Sequence, residues 1–306
     1  MELSYSRIST FKRCFKKYQY RYVKGLRKKE QAAPPRMGSM GHRALEEKLK
    51  GNDWKKAIID YWREEMNGIP EQFIDEESKE EIELVTKVVE RYFKKYGFFR
   101  SEDEFDLIEP EKKFKVKIPT TDNYLIGYMD RVIKVPNEGI WLVDHKFTTQ
   151  DPKNKIKHLE LNEQIDYYIW AMSKQFPEET ILGAIWNAIK LDLPTVPKPI
   201  KSGKRLTKRK MATDYETYYQ AILDNGFDPK DYEDYLYKLK HQDDKFFQRE
   251  WIERDSYELK QIENELINLS NIIGNVNLDI RSRNMGQCYW DCPYEQLCLV
   301  EKKGGD

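Results

Sequence analysis

Four cysteines lie near the two ends of this 306-residue chain and none lies between them. Cys14 stands alone, while Cys288, Cys292 and Cys298 crowd together within eleven residues. A single centre using all four thiols has to bring the two ends of the chain together, which restricts the topology more than any local pattern does. Four soft ligands suit zinc or an iron–sulfur cluster, and the spacing alone leaves both open. Two plainer uses fit less well. Disulfides belong to oxidising compartments, and the polar, basic stretch MELSYSRISTFKRC offers no apolar signal region. Buried free thiols are not expected in a context as polar as CYWDCPYEQLC.

Hydrophobic periodicity sets out the rest. Ile8, Phe11, Phe15, Tyr18 and Tyr22 recur at three- and four-residue steps and predict one helix from Tyr5 to Val23, capped by Ser6 or Ser9. Its basic face carries Lys12, Arg13, Lys16, Lys17 and Arg21, with Cys14 among them. An Ala-Ala-Pro-Pro break at 32–35 leads through Gly38–Gly41 into a helix holding His42, Leu45 and Leu49 on one side, and two more helices follow near 54–66 and 76–97. From Phe105 to Phe147 the period changes to two. FDLIEPEKKFKVKIP, YLIGYMDRVIKV and GIWLVDHKF, separated by turn residues, predict three consecutive antiparallel strands in a meander. A helix over Leu159–Gln175, a buried strand over Thr180–Ile189, a strand in FFQREWI and a helix from Ser256 to about Ile273 complete the pattern.

Charge excludes some roles and leaves others. The 53 basic and 53 acidic residues cancel, so nucleic-acid binding would have to come from local patches. One such patch is the Pro- and Lys-rich segment 190–213, a loop or mobile arm carrying Lys198, Lys201, Lys204, Arg205, Lys208, Arg209 and Lys210. A solvated charge run and a phosphate-contacting arm are equally good readings of it. No stretch approaches a membrane span, and the expectation is a soluble cytosolic protein. There is no Gly-x-x-x-x-Gly-Lys-Ser/Thr sequence and therefore no P-loop motor in the chain; a helicase or recombination protein would be a separate partner.

Asp144 and Lys146 occupy alternate positions of the third strand and share a face, with Asp130 on the strand before. Paired carboxylates beside an ammonium suit phosphodiester hydrolysis. The carboxylates hold a hard divalent ion, and the lysine orients or deprotonates water. Asp-x-Lys alone is a weak signal, which a surface salt bridge explains more readily.

Taken in order, Cys14, Gly41-His42, Gly127-x-x-Asp130, Asp144-x-Lys146, Gln164-x-x-x-Tyr168 and the closing three cysteines resemble the PD-(D/E)XK nuclease superfamily. The similarity is to its RecB-like iron–sulfur branch, which includes AddB-type nuclease domains, CRISPR adaptation nucleases and free-standing phage enzymes. The resemblance implies a mixed α/β fold: a restriction-endonuclease-like core whose central mixed sheet is flanked by helices, with a cluster-binding region formed by both chain termini. It implies that His42, Asp130, Asp144 and the backbone carbonyl of His145 ligate Mg2+ or Mn2+. Lys146 would assist the attacking water, and Gln164 and Tyr168 would line the site. It also implies that Cys14, Cys288, Cys292 and Cys298 hold a structural [4Fe-4S] cluster. Two departures stand out: three residues separate Cys288 from Cys292 where the branch more often has two, and Phe15 follows Cys14 where proline is common.

On this reading the chain divides into an N-terminal helix with the first cysteine (1–37), a helical region carrying His42 (38–104), the nuclease core (105–190), a basic loop and insertion (191–255), and a C-terminal helix with the cysteine loop (256–306). The expected activity is a DNA exonuclease on single-stranded or frayed ends, with Tyr5, Tyr20, Trp290, Arg281 and Arg283 guiding the strand. The alternatives are a nucleic-acid-binding or assembly subunit of a recombination or CRISPR adaptation complex, and a zinc protein without nuclease activity.

Overall fold

The computed structural model describes residues 1–27, 33–66, 75–96, 106–208, 211–242, 244–277, 282–288 and 292–303. Its centre is one mixed sheet of β1 (Glu2–Ser4), β2 (Asp106–Lys117), β3 (Tyr124–Val135), β4 (Gly139–Thr148), β5 (Ile181–Lys190) and β6 (Phe247–Ile252). The alternating segments between 106 and 148 form the antiparallel meander β2–β3–β4, and the β3–β4 turn places Asn137 in the left-handed region that Asn tolerates (φ 65°). β5 then joins β4 in parallel and β6 closes antiparallel against β5.

The two edges of β3 are used unequally. β2 takes one edge over nearly the full length, from Tyr124 to Lys134. Along the other edge β4 pairs only over Arg131–Val135, and β1 runs parallel over Tyr124–Ile126. Residues 127–130 lie between these two partners without a ladder neighbour on that side. The sheet therefore forks after the Arg131–Val143 pair, and β1 occupies the place along β3 that β4 has left. This three-residue strand is absent from the sequence reading because it is too short to show a period.

In chain order the helices are α1 (Tyr5–Arg13), α2 (Phe15–Tyr18), a π-helical turn (Gln19–Val23), α3 (Ala33–Leu49), α4 (Trp54–Glu65), α5 (Glu76–Tyr96), α6 (Pro152–Ile156), α7 (Glu163–Gln175), α8 (Tyr215–Asp224), α9 (Glu233–His241), α10 (Ser256–Asn275), α11 (Met285–Cys288) and α12 (Glu295–Lys302). The expected single helix over Tyr5–Val23 is interrupted at Cys14, whose backbone is extended (φ −160°, ψ 110°). Its N–H still donates to the Thr10 carbonyl and its own carbonyl accepts from Tyr18 N–H, each at 3.0 Å, so both flanking helices end satisfied. Phe11, Phe15 and Tyr18 remain in ring contact across the break, which is why the apolar period conceals it. The cap is Ser4, which accepts from Arg7 N–H, and neither Ser6 nor Ser9. α3 begins at Ala33 and takes Pro34 and Pro35 into its first turn, where a missing N–H costs no hydrogen bond. α7 starts at Glu163, later than expected, because Asn162 caps it by accepting from Gln164 and Ile165 N–H groups.

Each face of the sheet has its own core. Ile140, Leu142, Ala184, Trp186 and Ala188 meet Ile165, Ile169 and Trp170 of α7 and Ile262 and Leu266 of α10. On the other side Met40 and Leu45 of α3, Trp62 of α4 and Val85 and Val89 of α5 pack together with Ile189 and Phe247. Burial of side chains such as Trp170, Ile169 and Trp62, each at most 1% exposed, stabilises by roughly 1.5–3 kcal/mol apiece. A smaller cluster around Tyr218, Tyr232 and Leu236 unites α8 and α9. Among the described residues no helix is long and apolar enough to cross a membrane.

Candidate active site

The fork between β3 and β4 gathers the chemistry. Beyond Val143 the β4 backbone no longer meets β3, and the N–H of His145 donates instead to Oδ2 of Asp130 at 2.6 Å. A carboxylate thus replaces the missing ladder carbonyl. The other oxygen of Asp130 lies 3.2 Å from Nδ1 of His42 on α3. Burial acts to raise the Asp130 carboxyl, but the His42 imidazolium outweighs it and holds Asp130 below the usual carboxylate range. Burial likewise opposes the charge on His42, and Asp130 reverses the balance, so its pKa stands above the ordinary 6.5.

Strand alternation separates the two faces of β4. Leu142, Asp144 and Lys146 alternate on the side of α7, while His145 and Phe147 turn toward α3 and α5. Asp144 is 4% exposed, and Lys146 Nζ lies 2.7 Å from its Oδ2. That oxygen accepts no directed hydrogen bond among the described residues, so the contact is ionic and leaves the carboxylate under-coordinated. Burial pushes the Asp144 carboxyl up despite Lys146. Lys146 is itself disfavoured by burial, yet Asp144 and Asp130 hold its pKa above the ordinary lysine value, and its ammonium lies 5.1 Å from the centre of the Trp186 ring.

α7 supplies the next layer. Gln164 and Tyr168 are one turn apart, with Gln164 turned to the Tyr168 hydroxyl. That phenol is pushed up by burial and by the charge of Asp144. Gly127 explains how Tyr168 fits: a Cβ there would meet the Phe114 ring at 2.6 Å and the Tyr168 hydroxyl at 3.2 Å. On the opposite face the Phe147 ring packs edge-on to His42, and His145 packs edge-on to Tyr92. The His145 imidazole is buried, its Nδ1 has no hydrogen-bond partner among the described residues, and burial carries its pKa well below 6.5. A cavity of about 390 Å³ opens beside these groups, lined by His42, Lys146, Phe147, Thr148, Gln150 and Lys155 among others.

The chain ends meet around Cys14. Lys16 N–H donates to the Ser282 carbonyl (3.2 Å), and Asn284 Nδ2 donates to the Arg13 carbonyl (3.0 Å). Lys16 Nζ and the Tyr20 hydroxyl both reach the Glu301 carboxylate, at 2.6 and 2.9 Å. The thiol of Cys288 is pushed up by burial and then by the nearby Cys292, Cys14 and Cys298. Among the described residues no group of three or more His, Cys, Asp or Glu side chains is arranged to hold a metal ion. In kind, however, both donor sets fit a metal: an under-coordinated buried carboxylate beside a second carboxylate and an imidazole for a hard divalent ion, and four thiols for a soft centre.

Several expected strand-guiding residues are placed otherwise. Tyr20 is 3% exposed, bonded to Glu301 and packed on Tyr294, and so belongs to the interior framework, whereas Tyr5 is half-buried, packs edge-on to Tyr167 and lines a surface pocket with Lys12 and Arg13. Arg283 is paired with Glu301 at 3.5 Å. Trp290 and Arg281 lie outside the described residues. Sequence reasoning missed Phe147 and Trp186; each is adjacent in the sheet to Lys146 or opposite Asp144, a signal visible once the β4–β5 register is known.

The family model described as the PD-(D/E)XK nuclease superfamily matches residues 2–299. No curated protein matches the chain. Among solved structures, the crystal structure of SSO0001 aligns over 94% of this chain and 93% of its own, at 12% identity with a TM-score of 0.33.

Proposed function

Because the chain belongs to the PD-(D/E)XK nuclease superfamily, we propose that it is a divalent-metal-dependent DNA exonuclease acting on single-stranded or frayed ends. The observation that carries this reading is the fork, where Asp130, Asp144, Lys146 and His42 converge beside an open cavity. His42, Asp130, Asp144 and the His145 carbonyl would hold the ion. A Mg2+ or Mn2+ there would supply the Lewis acid that polarises the scissile phosphate and acidifies a water. Lys146, charged and held by Asp144, orients that water at Nζ and offsets the charge that builds on the phosphate as the water oxygen bonds to phosphorus and the ester oxygen departs. Tyr168 and Gln164 keep Lys146 and the strand in register from α7. Preference for ends rests on the likeness of the cysteine pattern to the RecB-like branch.

The second part of the proposal is a structural [4Fe-4S] cluster on Cys14, Cys288, Cys292 and Cys298. It is supported by the effect of the other three thiols on Cys288 and by the polar contacts that draw residues 13–26 to residues 282–301.

Purified protein supplied with Mn2+ is expected to degrade end-labelled linear DNA and spare circular DNA, and Lys146→Ala is expected to abolish the activity. Full activity in Lys146→Ala would overturn the site assignment. Circular DNA cut as fast as linear would overturn the exonuclease half. Iron and acid-labile sulfide in equal amounts are expected in a brown preparation; stoichiometric zinc in a colourless one would overturn the cluster.

A further inference from the structure

The basic segment after β5 is a built arm. Three cross-strand backbone bonds tie its legs, from Thr195 N–H to Ala212 O (2.6 Å), Thr207 N–H to Lys198 O (3.0 Å) and Ile200 N–H to Arg205 O (2.9 Å), with a Pro199–Leu206 bridge between the last two. Its root is anchored. Pro194 and Pro197 are buried, Leu206 is fully buried among α8 and α9 side chains, and Leu206 N–H donates to the Tyr232 hydroxyl at 2.8 Å. The far end is open, with Lys198, Lys201, Lys204 and Arg205 all exposed and, among the described residues, none of them ion-paired. Other lysines are held by carboxylates, as at Lys16, Lys50, Lys95 and Lys174.

Sequence and placement give this arm a direction. From 193 to 213 it has seven cations and no acidic residue, whereas the chain as a whole is neutral, so everything outside the arm is net acidic by the same seven charges. The arm also leaves the sheet at the site: Leu191, two residues before it, donates its N–H to the Thr148 carbonyl at 2.8 Å and lines the cavity with His42 and Lys146. With the basic N-terminal helix, the arm is one of the concentrated cationic features of this chain, and it is the one whose root leads away from the cavity's border.

We propose that the arm grips the phosphate backbone of DNA whose end is engaged at the fork, with Lys198, Lys201, Lys204 and Arg205 as the phosphate contacts. This rests on the nuclease reading for the location of the strand, and not on catalysis itself. A fixed hairpin with unpaired cations binds phosphates without reading bases, and each contact releases counterions, so affinity depends on salt and on strand length.

The test uses the full chain with Lys198, Lys201, Lys204 and Arg205 all changed to Gln. A control carries Lys55→Gln, Lys56→Gln, Lys79→Gln and Lys87→Gln on α4 and α5, which alters net charge equally. Binding of a labelled 30-nucleotide strand is measured by anisotropy without divalent ions, against salt. The arm variant is expected to bind about 10- to 100-fold more weakly at low salt, with a log–log salt slope flatter by about 3, while the control stays near wild type. Equal affinity and slope in arm variant and control would overturn the proposal. Because binding is read without turnover, a wild type that binds through the arm yet cleaves nothing would reject the nuclease reading and leave the arm standing.

Discussion

The ring of Phe147 lies against the backbone of Gly41 so closely that a Cβ on that glycine would come within 2.3 Å of the ring tip. The contact joins α3 to β4 at the point where each carries a candidate site residue on its next position, His42 on one and Lys146 on the other. Gly41→Ala is expected to push the Phe147 ring aside, cost about 1–3 kcal/mol in denaturant unfolding as overpacked sites do, and lower cleavage more than stability. Adding Phe147→Leu should recover most of both losses. Additive losses in the double variant would show that the contact does not set the site.

Lys146 and Asp144 separate by their effects on one another. Lys146→Met is expected to lower turnover about 10²–10⁴-fold while the protein remains folded if, as proposed, the lost group orients the reacting water. It should also raise the Asp144 carboxyl further, because burial then acts without the ammonium 2.7 Å away. Carboxyl titration by NMR in metal-free protein reads this second effect independently of activity.

His42 is a pH reporter of the fork. Its pKa in the folded, metal-free protein is raised above 6.5, so the pairing with Asp130 stabilises fully below pH 6.5 and this contribution fades as pH rises through the raised value. With the imidazole partly exposed, the effect is less than about 1 kcal/mol. In Asp130→Asn the attraction disappears while burial remains, and His42 should titrate below 6.5. Divalent-ion affinity should weaken as pH is lowered in the wild type if His42 is a ligand as proposed, since its protonation removes a donor lone pair. An unchanged His42 titration in Asp130→Asn would contradict the pairing.

Cys14→Ala and Glu301→Gln probe the closure of the ends in different ways. The first is expected to remove iron, colour and stability together. The second leaves the thiols in place but strands the nearly buried Lys16 ammonium without its carboxylate, at a cost of about 1–3 kcal/mol with iron retained. Full iron content in Cys14→Ala would remove that residue from the ligand set.

The readable part of this fold is the part governed by period. Alternation shows in β2 and β3, while β4 is legible as a largely buried run, and the two-residue strand period puts Asp144 and Lys146 together on the α7 side. What escapes reading depends on neighbours distant in sequence. Cys14 breaks a helix without Gly or Pro, since the apolar ridge of Phe11, Phe15 and Tyr18 continues past it. Asp130 serves as a substitute ladder acceptor only because β4 departs, and no local pattern announces a departing strand. The charges of the arm were legible; its cross-bonded legs and buried Leu206 were not.

The short strand β1 sets an order of assembly. β2, β3 and β4 are contiguous in sequence and can pair by closing small loops, a fast step with little entropy to overcome. The frame around residues 127–130 is complete only when Glu2–Ser4 docks beside Tyr124–Ile126, across more than a hundred intervening residues. Formation of the hydrophobic core and completion of the cleft are therefore separable events in refolding, and hydrogen exchange at residues 124–126 should slow later than exchange within the meander.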